Sequence, residues 1–351
     1  MSVTQGGTSA SVASGRLLRV NPLRRFLIRP ETGAVVGSIA VWILFAIVAG
    51  NSGFLSWRGT SSYLSVAAEL AIQAVPVALL MIGGEFDLSV GSTVGACEMI
   101  IVILSAQLGW NVWISFAMAM LFAVLIGTLN GYMVLRTGLP SFIVTLGMQY
   151  ILLGVTTGLT VVITGLTVVS GFDHAPGYSS AHAVFATTLS NRQFPIELIW
   201  ALALAALATW LLLGTPFGNW IFGVGGDAQA ARNVGVPVAR VKILLFIGTA
   251  ACSCLLAMIQ AVTFTNSDVL RGQGNEFAAI VAAVIGGVLL TGGYGSPIGA
   301  MFGALAFGIV EQGIVFAGVD ADWYKAFIGG ILLLAVLLNS YVRKLAMETR
   351  R

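Results

Sequence analysis

The stretch Gly83-Gly84-Glu85-Phe86-Asp87-Leu88-Ser89-Val90-Gly91-Ser92 decides how this sequence is read. It stands where two apolar runs meet, at about 62–82 and 88–108, each near the roughly 20 residues that a helix needs to cross a hydrocarbon core. A charged side chain at the bilayer centre costs at least about 2.5–3.5 kcal/mol on insertion scales, and this stretch holds two, Glu85 and Asp87. A bend at a membrane face avoids that cost, with Asp87 meeting unpaired N–H groups at the start of the following helix. Small Ser89, Gly91 and Ser92 then suit a helix start packed closely against its neighbours.

The rest of the chain repeats the pattern. Apolar runs lie at about 34–50, 62–82, 88–108, 111–135, 140–165, 196–213, 242–264, 277–291, 297–318 and 323–341. Only 9% of the residues are charged, whereas a soluble domain carries about 25%, so most of this exterior faces something other than water. The reading is an all-α, polytopic integral membrane protein of about ten transmembrane helices embedded in a lipid bilayer. The 43 glycines fit close helix packing, and the aromatic residues read as interface anchors. The boundaries at 62–108 and 277–318 are softened by Gly-rich bends, whose backbone groups must be satisfied inside the protein. Ile82-Gly83-Gly84 through Gly95-Ala96 faintly echoes Ile285-Gly286-Gly287 through Gly299-Ala300, as repeated halves of a transporter would.

Basic residues orient the helices. With ten crossings and a cytoplasmic N-terminus, the inner segments hold Arg16, Arg19, Arg24, Arg25, Arg29, Arg136, Arg232, Arg240, Lys242, Arg343, Lys344, Arg350 and Arg351. Of the 17 basic residues, only Arg58, Arg192, Arg271 and Lys325 fall outside. That asymmetry puts both termini in the cytoplasm with an even number of crossings, and the expected location is the cell inner membrane. Residues 1–30 read as a disordered basic cytoplasmic tail leading into an uncleaved first helix, 31–342 as the transmembrane domain, and 343–351 as a cytoplasmic C-terminal tail.

Residues 214–241 form a long inner loop around Gly223-Val224-Gly225-Gly226-Asp227-Ala228-Gln229-Ala230-Ala231-Arg232-Asn233-Val234-Gly235-Val236-Pro237. Asp227 is a good N-cap, Gly235 suits a left-handed stop, and Pro237 forbids continuation. The result is a helix of about two turns, too short to be stable alone, so a partner groove or the inner helix ends must hold it. Small Ala228, Ala230 and Ala231 would let a partner approach closely.

What is missing narrows the function. No Gly-Lys-Ser or Gly-Lys-Thr occurs, so the chain builds no phosphate-cradling loop and is not read as an enzyme. His174 beside Asp173 reads as a solvated pair, and Cys97, Cys252 and Cys254 as small core residues. No catalytic set, metal site, cofactor or nucleic-acid partner is indicated. The polar residues inside apolar runs are the functional candidates. Glu69 and Gln73 are four apart on one helix face, and Glu311 lies in a late run; with Glu85, Asp87 and Ser89 they are candidates for a solute path or gate. The alternative for most is hydrogen bonding between helices.

Together these blocks resemble the permease subunits of bacterial ATP-binding-cassette importers for ribose, xylose and similar sugars. The stretch Gly83-Gly84-x-x-Asp87-Leu88-Ser89-x-Gly91 is similar to that family's most recognisable membrane motif. The loop from Gly223 to Lys242 resembles its coupling loop, and Asn275-Glu276 through Gly292-Gly293-Tyr294-Gly295-Ser296 its late motif. The resemblance covers about residues 60–342. It implies translocation of a monosaccharide or related polyol, a cytoplasmic ATPase subunit that docks on Asp227, Ala228, Ala231, Arg232 and Gly235, a periplasmic solute-binding protein and a second permease copy. Here Glu85-Phe86 stand where that family commonly has Ile before the Asp, and the extra acid either tunes gating or faces inner water. A branched-chain amino acid permease of similar architecture and an ion-coupled secondary transporter using Glu69, Glu98 or Glu311 are the alternatives.

Overall fold

The computed structural model describes residues 30–189, 194–320, 323, 326, 327, 329 and 330. The basic tail up to residue 29, Arg192, most of the span expected at 323–341 and the 343–351 tail lie outside the described residues.

Apolar segments with no water to bond must satisfy their own backbone groups, and here they do so as helices. α1 spans Pro30–Ala49, α2 Trp57–Ile82 and α3 Val90–Val102, the last prolonged by a π-helical turn at Ile103–Gln107. α4 is Val112–Thr137 and α5 Ser141–Thr164. A cap follows with β1 Val168–Ser170, α6 Tyr178–Phe185, β2 Thr188–Leu189 and β3 Phe194–Pro195. The chain then returns as α7 Glu197–Gly214, α8 Pro216–Gly226, α9 Ala228–Asn233 and α10 Val238–Phe264. It closes with β4 Asn266–Asp268, α11 Asn275–Ile285 and α12 Pro297–Phe316.

Among the described residues, 8 helices are long and apolar enough to cross a membrane. The run expected at 277–291 is instead an 11-residue helix, α11. At about 1.5 Å per residue it is roughly 16 Å long, about half a hydrocarbon core. It stops because Gly286 and Gly287 turn the chain. Gly286 N–H donates to Ala282 O at 2.9 Å, Gly287 N–H to Val284 O at 2.9 Å, and Val288 N–H to Ala283 O at 3.0 Å, with Gly287 at φ +85. The end of α2 is built identically. Gly83, Gly84 and Glu85 donate to Leu79, Met81 and Leu80, with Gly84 at φ +84. The faint sequence echo between these stretches is therefore a repeated helix stop in the backbone, of the kind that glycine in the left-handed region permits.

α2 is the central helix, packed against α12, α7, α10 and α11, and buried almost continuously from Ala67 to Ile82. α1 and α5 are peripheral; apolar Ile47 and Val162 are 79% and 82% exposed, as lipid-facing side chains are. α4 meets α10 across Gly127 and Gly131, spaced one helical turn apart. A Cβ at Gly127 would stand 2.6 Å from Phe246 O, so only glycine allows this approach.

At one end of α10, antiparallel β1–β4 and the β2–β3 hairpin form the cap. Tyr178 anchors the cap by donating its hydroxyl to Val262 O at 3.0 Å. Partial burial, and then the nearby Asp173 carboxylate, push its phenol above the usual range. His174 and Asp173 are exposed and 3.8 Å apart. At the other end of α10, about 40 Å away for 27 residues, lie α9 and the two Gly-rich bends.

Candidate functional site

Three backbone segments meet at the α9 end. The bend after α2, the end of α8 and the bend after α11 converge on Gly225, where a Cβ would run into Ile82 O and Gly293 N. Gly84 approaches Gly225 Cα from one side, and Gly292, at φ +77, approaches Gly225 O from the other. Gly293 N–H donates to Ile82 O at 2.8 Å, joining the two bends directly. With no side chain between them, the three segments move together or clash.

The second layer is polar and sealed. Asp87 is 1% exposed; its Oδ1 accepts from Ser89 N–H at 2.9 Å and from Ser89 Oγ at 2.6 Å. Its Oδ2 accepts from Thr249 Oγ1 of α10 at 3.0 Å, and Asn130 of α4 donates to Ser89 Oγ at 2.8 Å. The carboxylate thus closes a local turn and ties α3 to α10. It does not cap α3 as the sequence suggests, because Ser89 intervenes as N-cap and makes no side-chain capping bond. Thr145 and Ser141 of α5 take the backbone N–H groups of Leu88 and Phe86. Replacing Asp87 with Ala orphans two buried donors, the N–H and hydroxyl of Ser89, each costing about 1–3 kcal/mol when left unmet, while Thr249 keeps Phe246 O at 2.9 Å. D87A is therefore expected to melt well below wild type in detergent, and D87N, which keeps one oxygen acceptor, to lose less. Equal melting of D87A and wild type would remove this network from the account of the fold.

Glu85 faces Lys242, four residues into α10, and the two form an ion pair with side chains only 9% and 17% exposed. Nearby, α9 runs Ala228–Asn233, shorter than the two turns expected. Asp227 caps it, accepting from Gln229 and Ala230 N–H at 2.9 Å each, and Gly235 at φ +88 ends it. Ala231 is buried against the helix ends and Ala228 half-buried, so these two of the three alanines pack inward. Gln229, Ala230, Arg232, Asn233 and Val234 are the ones that face out.

The cap end carries a cavity of about 900 Å³, lined by Trp57, Arg58, Ser61, Ser62, Ser65, Val66, Glu69 and Phe264. A second of about 720 Å³ is lined by Val66, Glu69, Gln260, Phe264, Asn275, Phe277, Phe307 and Glu311. Both include Val66, Glu69 and Phe264. Along α2, Trp57 to Glu69 spans about 18 Å at 1.5 Å per residue, so the cavities reach toward mid-membrane. The wall is rich in acceptors. Ser62 donates to Gln312 Oε1 at 2.6 Å, Ser65 hydrogen-bonds Glu197, and Gln260 Nε2 donates to Glu69 Oε2 at 2.5 Å.

The sequence candidates separate accordingly. Glu69 and Glu311 line the cavities. Gln73 is buried one turn beyond Glu69, its Nε2 near Val90 O at 3.3 Å. Asp87, Ser89 and Glu85 stand at the opposite end. Glu98 is sealed, with Arg271 Nε 3.3 Å away. Gln260 of α10 is one of the embedded polar residues that the sequence marks, whereas Phe264 of α10, Glu197 of α7, Lys242 and Thr249 are not marked as site residues. Only the Ser62, Ser65, Glu69 spacing, a single helix face, could have pointed to the wall. Phe264 reads as an interface anchor until the fold brings it to the same cavity wall as Glu69.

Residues 59–337 match the family described as branched-chain amino acid transport system / permease component. The chain is 30% identical over 360 residues to the xylose transport system permease protein of Escherichia coli, covering 88% of this chain and 92% of that one. It is 28% identical over 357 residues to the xylose transport system permease protein of Haemophilus influenzae, covering 88% and 95%. To the autoinducer 2 import system permease protein of Klebsiella pneumoniae it is 29% identical over 275 residues, covering 77% and 80%. No solved structure matches the chain.

Proposed function

This chain belongs to the family of branched-chain amino acid transport system permease components, and from that premise we propose that it is the membrane subunit of an ATP-driven importer for a monosaccharide or related polyol. It is a multi-pass protein of the inner membrane. ATP is hydrolysed by a separate cytoplasmic subunit, a periplasmic protein delivers the solute, and two copies of the chain work together.

The observation that carries this reading is the layout of α10. Its cap end lines an acceptor-rich cavity, and its other end joins α9, the Glu85 pair and the glycine junction. In the orientation given by the basic residues, the cavity opens outward and α9 faces the cytoplasm. The glycine junction then gives an ATPase docked on α9 a mechanical route to both bends. Carboxylates on the wall oppose an anionic solute, and their lone pairs suit hydroxyl donors. Spread along the wall with the serines and Gln260, these acceptors favour a polyol, which carries hydroxyl donors all round its ring, over an amino acid, which carries donors only at its ammonium.

The deciding measurement is solute uptake by vesicles holding the chain with its ATPase and binding protein. Uptake should need ATP and survive collapse of ion gradients; gradient-driven uptake without ATP would overturn the proposal. Docking is tested separately. Because Ala231 points inward, the outward residues are the ones to change: Val234, 81% exposed, and Arg232. V234D with R232E should lower ATPase co-purification at least about tenfold, the size expected from losing an apolar anchor and a charge in one interface. Undiminished co-purification would move the docking surface elsewhere.

A further inference from the structure

We propose that Glu69 and Phe264 form the solute-selecting constriction of the path, taking a neutral, ring-shaped polyol between a carboxylate and an aromatic face, with Gln260 as the positioning residue. The inference rests on the polyol reading above and assigns that function to particular side chains.

Three observations converge on it. First, both cavities are lined by Val66, Glu69 and Phe264, so these three side chains stand where the two cavities adjoin. Second, each is held in place. Glu69 Oε2 receives Gln260 Nε2 at 2.5 Å, and the Arg271 guanidinium sits 4.6 Å over the Phe264 ring while bonding Asn266 at 2.8 Å. Third, Gln260 is 7% exposed and its Oε1 is buried at the cavity wall without a hydrogen-bond partner among the described residues. Rotating the amide to use that oxygen would set it against the Glu69 carboxylate, so the orientation is locked and an acceptor is left unmet. A hydroxyl entering between α2 and α10 satisfies it.

The chemistry follows from the two walls. A carboxylate accepts hydrogen bonds from two adjacent hydroxyls, and an aromatic face packs against the C–H face of a sugar ring. A solute bearing only hydroxyls meets both demands. An anion is repelled by Glu69, an amino acid engages it only through its ammonium, and an aliphatic solute offers Glu69 and Gln260 no donor. Selection at this point adds to that made by the binding protein, and acts on the rate of passage.

The test uses the complete complex of permease, ATPase and binding protein in vesicles, with radiolabelled xylose, ribose, galactose and leucine as probes. For whichever sugar the wild type imports, E69A and F264A should each lower the maximal uptake rate about tenfold, the first by losing a charge-assisted hydrogen bond and the second by losing the aromatic packing surface. The half-saturating concentration should stay put, because the binding protein sets it. E69D should recover part of the rate, and Q260A should fall between E69A and wild type. A structural defect alone would reduce recovery of the assembled complex on size-exclusion chromatography, which is measured alongside. Wild-type rates in E69A and F264A would overturn the assignment. Import of leucine and none of the sugars would instead overturn the polyol reading itself.

Discussion

Gly225→Val is expected to abolish recovery of folded protein, while Gly226→Ala, one residue further, should leave it unchanged. A Cβ at Gly225 meets two backbone groups, Ile82 O and Gly293 N, and neither can turn aside as a flexible side chain would. Each belongs to a different bend, so relief at one tightens the other. A Cβ at Gly226 meets nothing within 4 Å. The pair separates the demand for close approach from any general intolerance of substitution at the end of α8. Yield of monodisperse protein after detergent extraction, followed by thermal melting, reads the difference. Even Gly225→Ala should melt clearly lower than Gly226→Ala; equal melting of those two would show that the three segments are not packed as described.

Lys242→Ala is the second large effect. It leaves the Glu85 carboxylate 9% exposed with its cation gone, and breaking a buried pair from one side costs about 3–5 kcal/mol. Glu85→Leu, which strands the ammonium, should cost less because the lysine is more exposed and its long stem can reach toward water. Removing both charges, as Glu85→Leu with Lys242→Met, should restore most of the loss, since the desolvation of both groups disappears with them. A double variant as unstable as Lys242→Ala would mean that the two side chains do not depend on each other. In the transport assay the same double variant separates two roles for the extra acid. If the pair holds the inner bend closed, ATP hydrolysis in the absence of solute rises. If it only stabilises the fold, hydrolysis follows the amount of assembled complex.

These cases show how far the residues could be read in order. The low charge and the ten apolar runs made a membrane protein legible, because burial in lipid leaves a mark on every stretch that crosses it. The α9 segment was legible too: Asp227 as cap, Gly235 as stop and Pro237 beyond are local signals, and the helix formed between them. Its orientation was not. Ala231 is small, and small residues suit both a partner's approach and tight packing inward; only the neighbouring helix ends decided for packing. Asp87 shows the same limit. Its polarity marked it, yet whether it capped a helix or bridged two depended on Thr249, 162 positions away.

Among the path candidates, Glu69 and Gln73 share a helix face in the sequence but have different surroundings, because α2 passes from the cavity into the packed centre between them. Apolar runs and basic-residue placement are properties of single segments and are read from the sequence unaided, although the run at 277–291 proved to hold only the 11-residue α11. Likewise, the sequence placed two glycine pairs at the ends of two apolar runs, which is enough to stop both helices. That those stops meet at Gly225, that Lys242 neutralises Glu85, and that Phe264 faces the cavity beside Glu69 were decided by the tertiary structure alone. The physical reason is range. Helix formation and membrane insertion are governed by residues within a few turns. Glycine contacts, ion pairs and cavity walls bring together segments whose spacing along the chain carries no periodic signal.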